Sequence, residues 1–244
     1  MTKNRIIEAE IKHGKWLLEN DPVMQCGWGT PAGQLRAIRR VQLIAQGVKL
    51  SPGQKVLEIC CGTGLFTEIF AKYGAHILAV YLSPELLAAA RQRNLPTEQV
   101  EFLNITFEEC EKLGPFDAII GSSILHHLNC TNSLVKIYQL LKPGSTMCFC
   151  EPNMLNPQIF FSLCFRRLFP YISQDEMAYF KNKLFSLLKN SGYSDIVITP
   201  FDWLHSRTPQ KLIVLVKKAD KFVENLPVVN EFAGSLRITA KRPE

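Results

Sequence analysis

The residues with the most chemical potential in this chain are Glu58-Ile59-Cys60-Cys61-Gly62-Thr63-Gly64. A short apolar strand over 55–59 runs straight into them, and a helix pattern begins at Leu65. Glycines at 62 and 64 let the backbone turn sharply and approach a ligand closely. The free N–H groups at the start of the helix add donors. A tight strand-to-helix turn with no ligand would need the same glycines. Histidines form the second group: His126 and His127 lie past a later strand, and His205 lies further on. An imidazole at such a place can take a proton near neutral pH, or simply cap the strand end and line a pocket.

These groups are positioned by a chain that alternates strand and helix. Strands are predicted at 55–59, 76–82, 100–103, 116–121 and 146–150, with helices at 65–72, 84–94 and 132–141 between them. Such a rhythm means parallel βαβ units and a doubly wound sheet covered on both faces. In open α/β sheets of this kind ligands bind beyond the carboxyl ends of the strands, beside strand one. Two further strands, 195–200 and 235–241, pair antiparallel at the end of the sheet, with an amphipathic helix between them. Before the first strand, a helical pattern covers 4–19. Thr30-Pro31 then caps a helix with an apolar stripe (Leu35, Ile38, Val41, Ile44, Ala45) that ends at Gly47. The expected organisation is a helical lid over 1–50 and a main domain over 51–244. A Phe-rich cap at about 152–173 interrupts that domain, and Ser173-Gln174-Asp175-Glu176 is a capping box that starts the next helix.

Composition excludes several classes. The net charge of +6 is mild, and the basic clusters (Arg36, Arg39, Arg40; Arg166, Arg167; Lys217, Lys218, Lys221) are not interleaved with aromatics, so they read as a solvated surface and no nucleic-acid partner is expected. The eight cysteines include no CxxC pair, which argues against structural zinc, and no metal is expected. The N-terminus shows no export signal and no run of about 18 apolar residues occurs, so the expectation is a cytoplasmic protein with reduced thiols.

The wider pattern resembles class I S-adenosylmethionine-dependent methyltransferases, a Rossmann-like fold, in a branch similar to the bacterial type 11/12 enzymes. Val56 to Gly64 resembles their first motif, and Leu82-Ser83-Pro84 resembles the end of their second strand. Phe116-Asp117-Ala118-Ile119-Ile120 with Leu125-His126-His127-Leu128 looks like their fourth-strand motif. Leu141-Lys142-Pro143-Gly144 resembles the turn before strand five. The resemblance implies that Glu58 binds the methionine amino group of S-adenosyl-L-methionine. Backbone at Cys60, Cys61, Gly62 and Gly64 would line the methionine and ribose, Tyr81 and Leu82 the ribose, Ile105 and Thr106 the adenine, and Ser122 and Ser123 the floor under the sulfonium. Three residues depart from the pattern: Cys60 stands for the first glycine, Tyr81 for the ribose-binding acid, and Thr106 for the aspartate near adenine.

Methyl transfer is an in-line displacement in which the cofactor supplies the reactivity and the protein supplies alignment. The implied acceptor is a small or lipid-like molecule methylated at oxygen or carbon. Gly121-Ser122-Ser123-Ile124 lacks the Asn/Asp-Pro-Pro-aromatic signature of enzymes that methylate exocyclic or amide nitrogens. His127 is the candidate base, and Trp28, Arg36, His126, Phe160 and His205 are the candidate acceptor contacts. The Phe-rich stretch is either an apolar cap or a contact to a membrane surface, since its arginine pair suits anionic headgroups. Two alternatives come from other classes. One is a catalytically silent relative that binds the cofactor or another nucleotide in a regulatory role, a reading carried by Cys60 and Tyr81. The other is a nicotinamide oxidoreductase, opposed by the missing third glycine and the lack of an acid at the end of strand two.

Overall fold

A computed structural model of the chain describes residues 14–128, 130–168 and 177–244. The start of the helix expected over 4–19 and the capping box at 173–176 lie outside the described residues; residues 14–19 are helical. The helix α1 (Pro31–Val48) leads to β1 (Lys55–Ile59), followed by α2 (Leu65–Ala71), β2 (His76–Tyr81), α3 (Pro84–Arg91), β3 (Val100–Asn104) and β4 (Phe116–Ser122). Then come α4 (Cys130–Leu140), β5 (Leu141–Pro152), α5 (Pro157–Cys164), α6 (Lys181–Asn190), β6 (Ser194–Phe201), α7 (Ile213–Val223) and β7 (Ser235–Lys241).

The seven strands form one sheet in the order β3-β2-β1-β4-β5-β7-β6. The first five are parallel, and β7 lies antiparallel between β5 and β6. Side chains alternate between two buried layers, as the strand period demands. Val56, Ala118, Ile120 and Cys148 face one way, against Val41 and Ile44 of α1 and Phe70 of α2. Leu57, Ile119, Met147 and Phe149 face the other, against Leu134 of α4 and Leu184 of α6. The carboxyl ends of β1 and β4 are adjacent, with Ile59 opposite Gly121, and this is the switch point where a ligand crevice forms.

Caps read from the sequence are present: the Thr30 hydroxyl accepts from the Gly33 N–H at 2.9 Å, and Ser83 accepts from Leu86 at 3.4 Å. Three boundaries differ. Helix α1 runs through Gly47 to Val48 and stops at Lys49, which takes the left-handed conformation (φ 52°). Gly47 is there for packing: a Cβ on it would lie 2.6 Å from Cys148 Sγ. Strand β5 starts at Leu141, and the expected turn at 142–144 becomes an irregularity in its pairing with β4. Helix α6 starts only at Lys181. Residues 177–180 are not helical, because Tyr179 exchanges backbone hydrogen bonds with the end of β5: its N–H donates to Pro152 O and its carbonyl accepts from Met154 N, both at 3.0 Å.

Candidate active site

The glycine turn sits at the carboxyl end of β1. Cys61 N–H donates to Val80 O at 3.2 Å, which ties the turn to β2, and Gly64 N–H donates back to Cys61 O at 2.9 Å. Gly62 and Gly64 have φ of 56° and 71°. A Cβ on Gly62 would meet nothing within 4 Å, so the backbone borders open space there. One on Gly64 would come within 3.0 Å of Ala90. Cys60 also has positive φ, 60°, so it adopts a glycine conformation at some cost in strain.

Glu58, the acid of the turn, is buried, and its Oε2 has no hydrogen-bond partner. Burial pushes its pKa up from 4.5 to about 7, and the nearby Thr67 hydroxyl offsets this only in part. A buried carboxylate of this kind is completed by a cation. Next along the sheet, Tyr81 ends β2. Asn104, opposite it on β3, donates its side-chain amide to the carbonyls of Tyr81 and Leu82, both at 3.0 Å. Ile105 and Thr106 follow β3. The Thr106 hydroxyl donates to Glu109 Oε2 at 2.8 Å, so it is committed to starting the turn after β3.

At the end of β4 the structure adds a residue that sequence reasoning missed. Arg40, read as part of a solvated basic cluster, is instead the only buried lysine or arginine among the described residues. Its Nη1 donates to Ser122 Oγ at 3.1 Å and Ser123 Oγ at 3.2 Å, and its Nη2 donates to Ser235 Oγ at 2.5 Å. Its Nε is buried without a partner. The signal was the spacing: positions 37, 40, 41 and 44 form one buried stripe of α1, with an arginine inside it. The rest of the cluster is paired as well. Arg36 holds Asp202 through Nε and Nη2 at 2.7–3.1 Å. Arg39 holds Asp220 at 3.0 Å and Glu224 at 2.6 Å. Desolvation still pushes Asp220 up to about 6, against the pull of Arg39. Trp28 lies under the Arg36 and Arg40 guanidinium groups, 5.2 and 5.4 Å from its ring centre, and meets Phe66 of α2 edge-on at 5.2 Å.

The histidine pair is held from β5. Glu151 Oε1 accepts from the backbone N–H groups of Ile124 and Leu125 at 2.8 and 2.9 Å, and its Oε2 lies 2.7 Å from His126 Nδ1. Both side chains are buried. The carboxylate thus fixes the loop after β4 and directs the His126 Nδ1 proton toward itself. His126 is an anchor of the loop, and half-buried His127 carries the second ring, with ring centres 4.2 Å apart. Glu151-Pro152-Asn153 was visible as a motif, but a partner twenty-five residues away is a tertiary fact. His205 and Phe160 gather at α5 instead: the His205 ring touches the Gln158 side chain at 2.8 Å, and Phe160 is exposed. Among the described residues no group of three or more His, Cys, Asp or Glu could hold a metal ion.

This strand order, with one antiparallel strand beside β5 and a glycine turn after β1, is the fold of class I methyltransferases. Residues 56–144 match the family model of a methyltransferase domain; the segment is a methyltransferase domain of the S-adenosylmethionine-dependent class I superfamily. A ubiquinone biosynthesis O-methyltransferase from Xylella fastidiosa is 38% identical over 130 residues, covering 50% of this chain and 52% of that one. The corresponding protein of Xanthomonas campestris is 36% identical over 123 residues, 48% and 51% of the two chains. The chain spans about half the length of these relatives. In structure it is similar to an S-adenosylmethionine-dependent methyltransferase from Thermotoga maritima, described as a possible histamine N-methyltransferase (TM-score 0.65, 15% identity, 94% of this chain and 97% of that one). It is also similar to a Haemonchus contortus phosphoethanolamine N-methyltransferase bound to S-adenosylhomocysteine (TM-score 0.60, 16% identity, 84% and 52%).

Proposed function

We propose that the protein transfers a methyl group from S-adenosyl-L-methionine to a hydroxyl oxygen of a small, lipid-like acceptor. The observation that carries this reading is the buried Glu58 carboxylate without a partner for Oε2, beside a turn whose Gly62 borders open space. These residues fit the cofactor: Glu58 would take its ammonium group, the Arg40 guanidinium its carboxylate, and the backbone of Cys60 to Gly64 its flank. Tyr81, Leu82, Ile105 and Thr106 would border the ribose and adenine. When bound, the cofactor supplies an activated methyl group; the chain's own contribution is alignment and exclusion of water.

On the acceptor side, His127 takes the hydroxyl proton, and the Glu151–His126 pair holds the loop that presents it. Ser122 and Ser123 form the floor, fixed by Arg40. The residues just before α1 border the site, with Trp28 against Phe66 as their contact to α2, while α1 itself is a fixed layer on the sheet. Oxygen as the acceptor atom is supported by the O-methyltransferase names of the relatives. A lipid-like acceptor is supported by the exposed phenylalanines of α5.

The test is a transfer assay with labelled methyl donor and cell extract, counted separately in lipid, polar-metabolite, protein and RNA fractions. Label in the lipid or small-metabolite fraction that is lost in His127→Ala agrees with this reading. Cofactor binding with no label in any fraction favours the silent, regulatory alternative that Cys60 and Tyr81 motivate.

A further inference from the structure

Residues 152–174 and 203–219 contain no aspartate or glutamate, yet they hold Arg166, Arg167, Arg207, Lys211, Lys217 and Lys218. The same two stretches expose some of the largest apolar side chains. On α5 and the turn after it, Phe160, Phe161 and Phe165 are about half exposed, and Leu168 is 67% exposed. On α7, Ile213, Val216 and Asp220 face inward, at the three-to-four-residue spacing of one helix face. The opposite face mixes Val214, Leu215 and Phe222, each about two-thirds exposed, with exposed Lys217 and Lys218.

The two helices flank the His205 loop: Gln158 of α5 touches His205, and Asn156, which caps α5, donates to Phe232 O beyond α7 at 2.9 Å. The acids within and just after α7 are engaged by other cations, Asp220 and Glu224 by Arg39 and Glu231 by Lys181, so they do not neutralise exposed Lys217 and Lys218. A surface that is both apolar and cationic suits a bilayer interface, where the rings enter the headgroup boundary and the lysines meet anionic lipid. A second copy of the chain would oppose lysine to lysine.

We propose that α5 and α7 together form a docking surface for the face of an anionic lipid bilayer. The proposal deepens the reading of a lipid-like acceptor, since a docked enzyme could draw such a molecule from the bilayer. The experiment is cosedimentation of the full chain with vesicles of phosphatidylcholine alone and of phosphatidylcholine mixed with phosphatidylglycerol. Binding is expected to the mixed vesicles, weaker to the neutral ones, and decreasing with salt. The double variant Lys217→Glu/Lys218→Glu should lower it on the order of thirty-fold or more. Leu215→Ser/Phe222→Ser should lower it as well, with melting temperature unchanged in both. No binding, equal binding to both vesicle types, or binding indifferent to both double variants overturns the proposal. So does a dimer in sedimentation velocity that Leu215→Ser/Phe222→Ser abolishes, since a second copy then covers the face. Titrating S-adenosylmethionine into the same preparation separates the two claims: intact cofactor binding without vesicle binding rejects the docking surface alone, and the reverse rejects the enzymatic reading alone.

Discussion

Replacing Glu58 by glutamine should make the protein more stable at high pH and weaken its cofactor binding. In the unfolded chain this carboxyl titrates near 4.5, and in the folded protein burial moves it to about 7. Between those values the folded state holds a proton that the unfolded state has released, so this group's contribution to stability falls as pH rises through that window and is constant above it. At ~1.4 kcal/mol per pH unit, the ionised side chain costs the folded state roughly 3 kcal/mol at pH 8. Glutamine keeps the shape and removes the charge, but it leaves a buried amide without a partner, at a cost of about 1–3 kcal/mol that does not vary with pH. The informative quantity is therefore how the melting-temperature difference between variant and wild type changes with pH. From pH 5 to pH 8 it should move in favour of Glu58→Gln by roughly 5–10 °C for a chain of this size. Asp220, which also titrates high, is common to both proteins and cancels. Scanning calorimetry at four or five pH values measures this. A difference that stays flat across pH would show that Glu58 carries no raised pKa, and the argument for a carboxylate waiting for a cation would fail with it.

Tyr81→Asp restores an acid at the end of β2 and should tighten S-adenosylmethionine binding by up to about tenfold, since a carboxylate accepts more strongly than a phenol; fluorescence titration reads this, and weaker binding would place the ribose elsewhere. Glu151→Gln leaves His126 with a neutral partner and should cost on the order of 2 kcal/mol of stability in urea unfolding, with a lower rate of methyl transfer at every pH; an unchanged rate would remove the loop from the mechanism. Gly47→Ala improves helix propensity, yet its Cβ would sit 2.6 Å from Cys148 Sγ, so it should lose about 1–3 kcal/mol of stability in the same experiment. Cys60→Gly should relieve the positive φ at little net change in stability, within about 1 kcal/mol, and should not weaken cofactor binding.

The parallel half of the sheet was legible because each strand is a short apolar run bounded by a turn signal, and because Thr30, Ser83 and the glycines at 62 and 64 announce their caps and turns. The insertion of β7 between β5 and β6 was not legible, since both last strands show the same alternation and nothing local fixes their order. The late start of α6 was missed because Tyr179 bonds to a strand end that is remote in sequence. At the site, Glu58, Gly62 and Gly64 stood out by spacing. Arg40 and Glu151 did not, because a buried ion or carboxylate is recognised by the partners folding brings to it, here Ser122 and Ser235 for the one and His126 for the other. Arg36 shows the same limit: it could be nominated as an acceptor contact, but the structure commits it to Asp202.

The central claim, that the turn from Glu58 to Gly64 binds S-adenosyl-L-methionine, is tested most directly by isothermal titration of the full chain with S-adenosylmethionine, S-adenosylhomocysteine and NAD. The account predicts binding of both sulfur compounds, no binding of NAD, and marked weakening in Glu58→Ala. Neither sulfur compound binding at near-millimolar concentration, or unchanged affinity in Glu58→Ala, would contradict it.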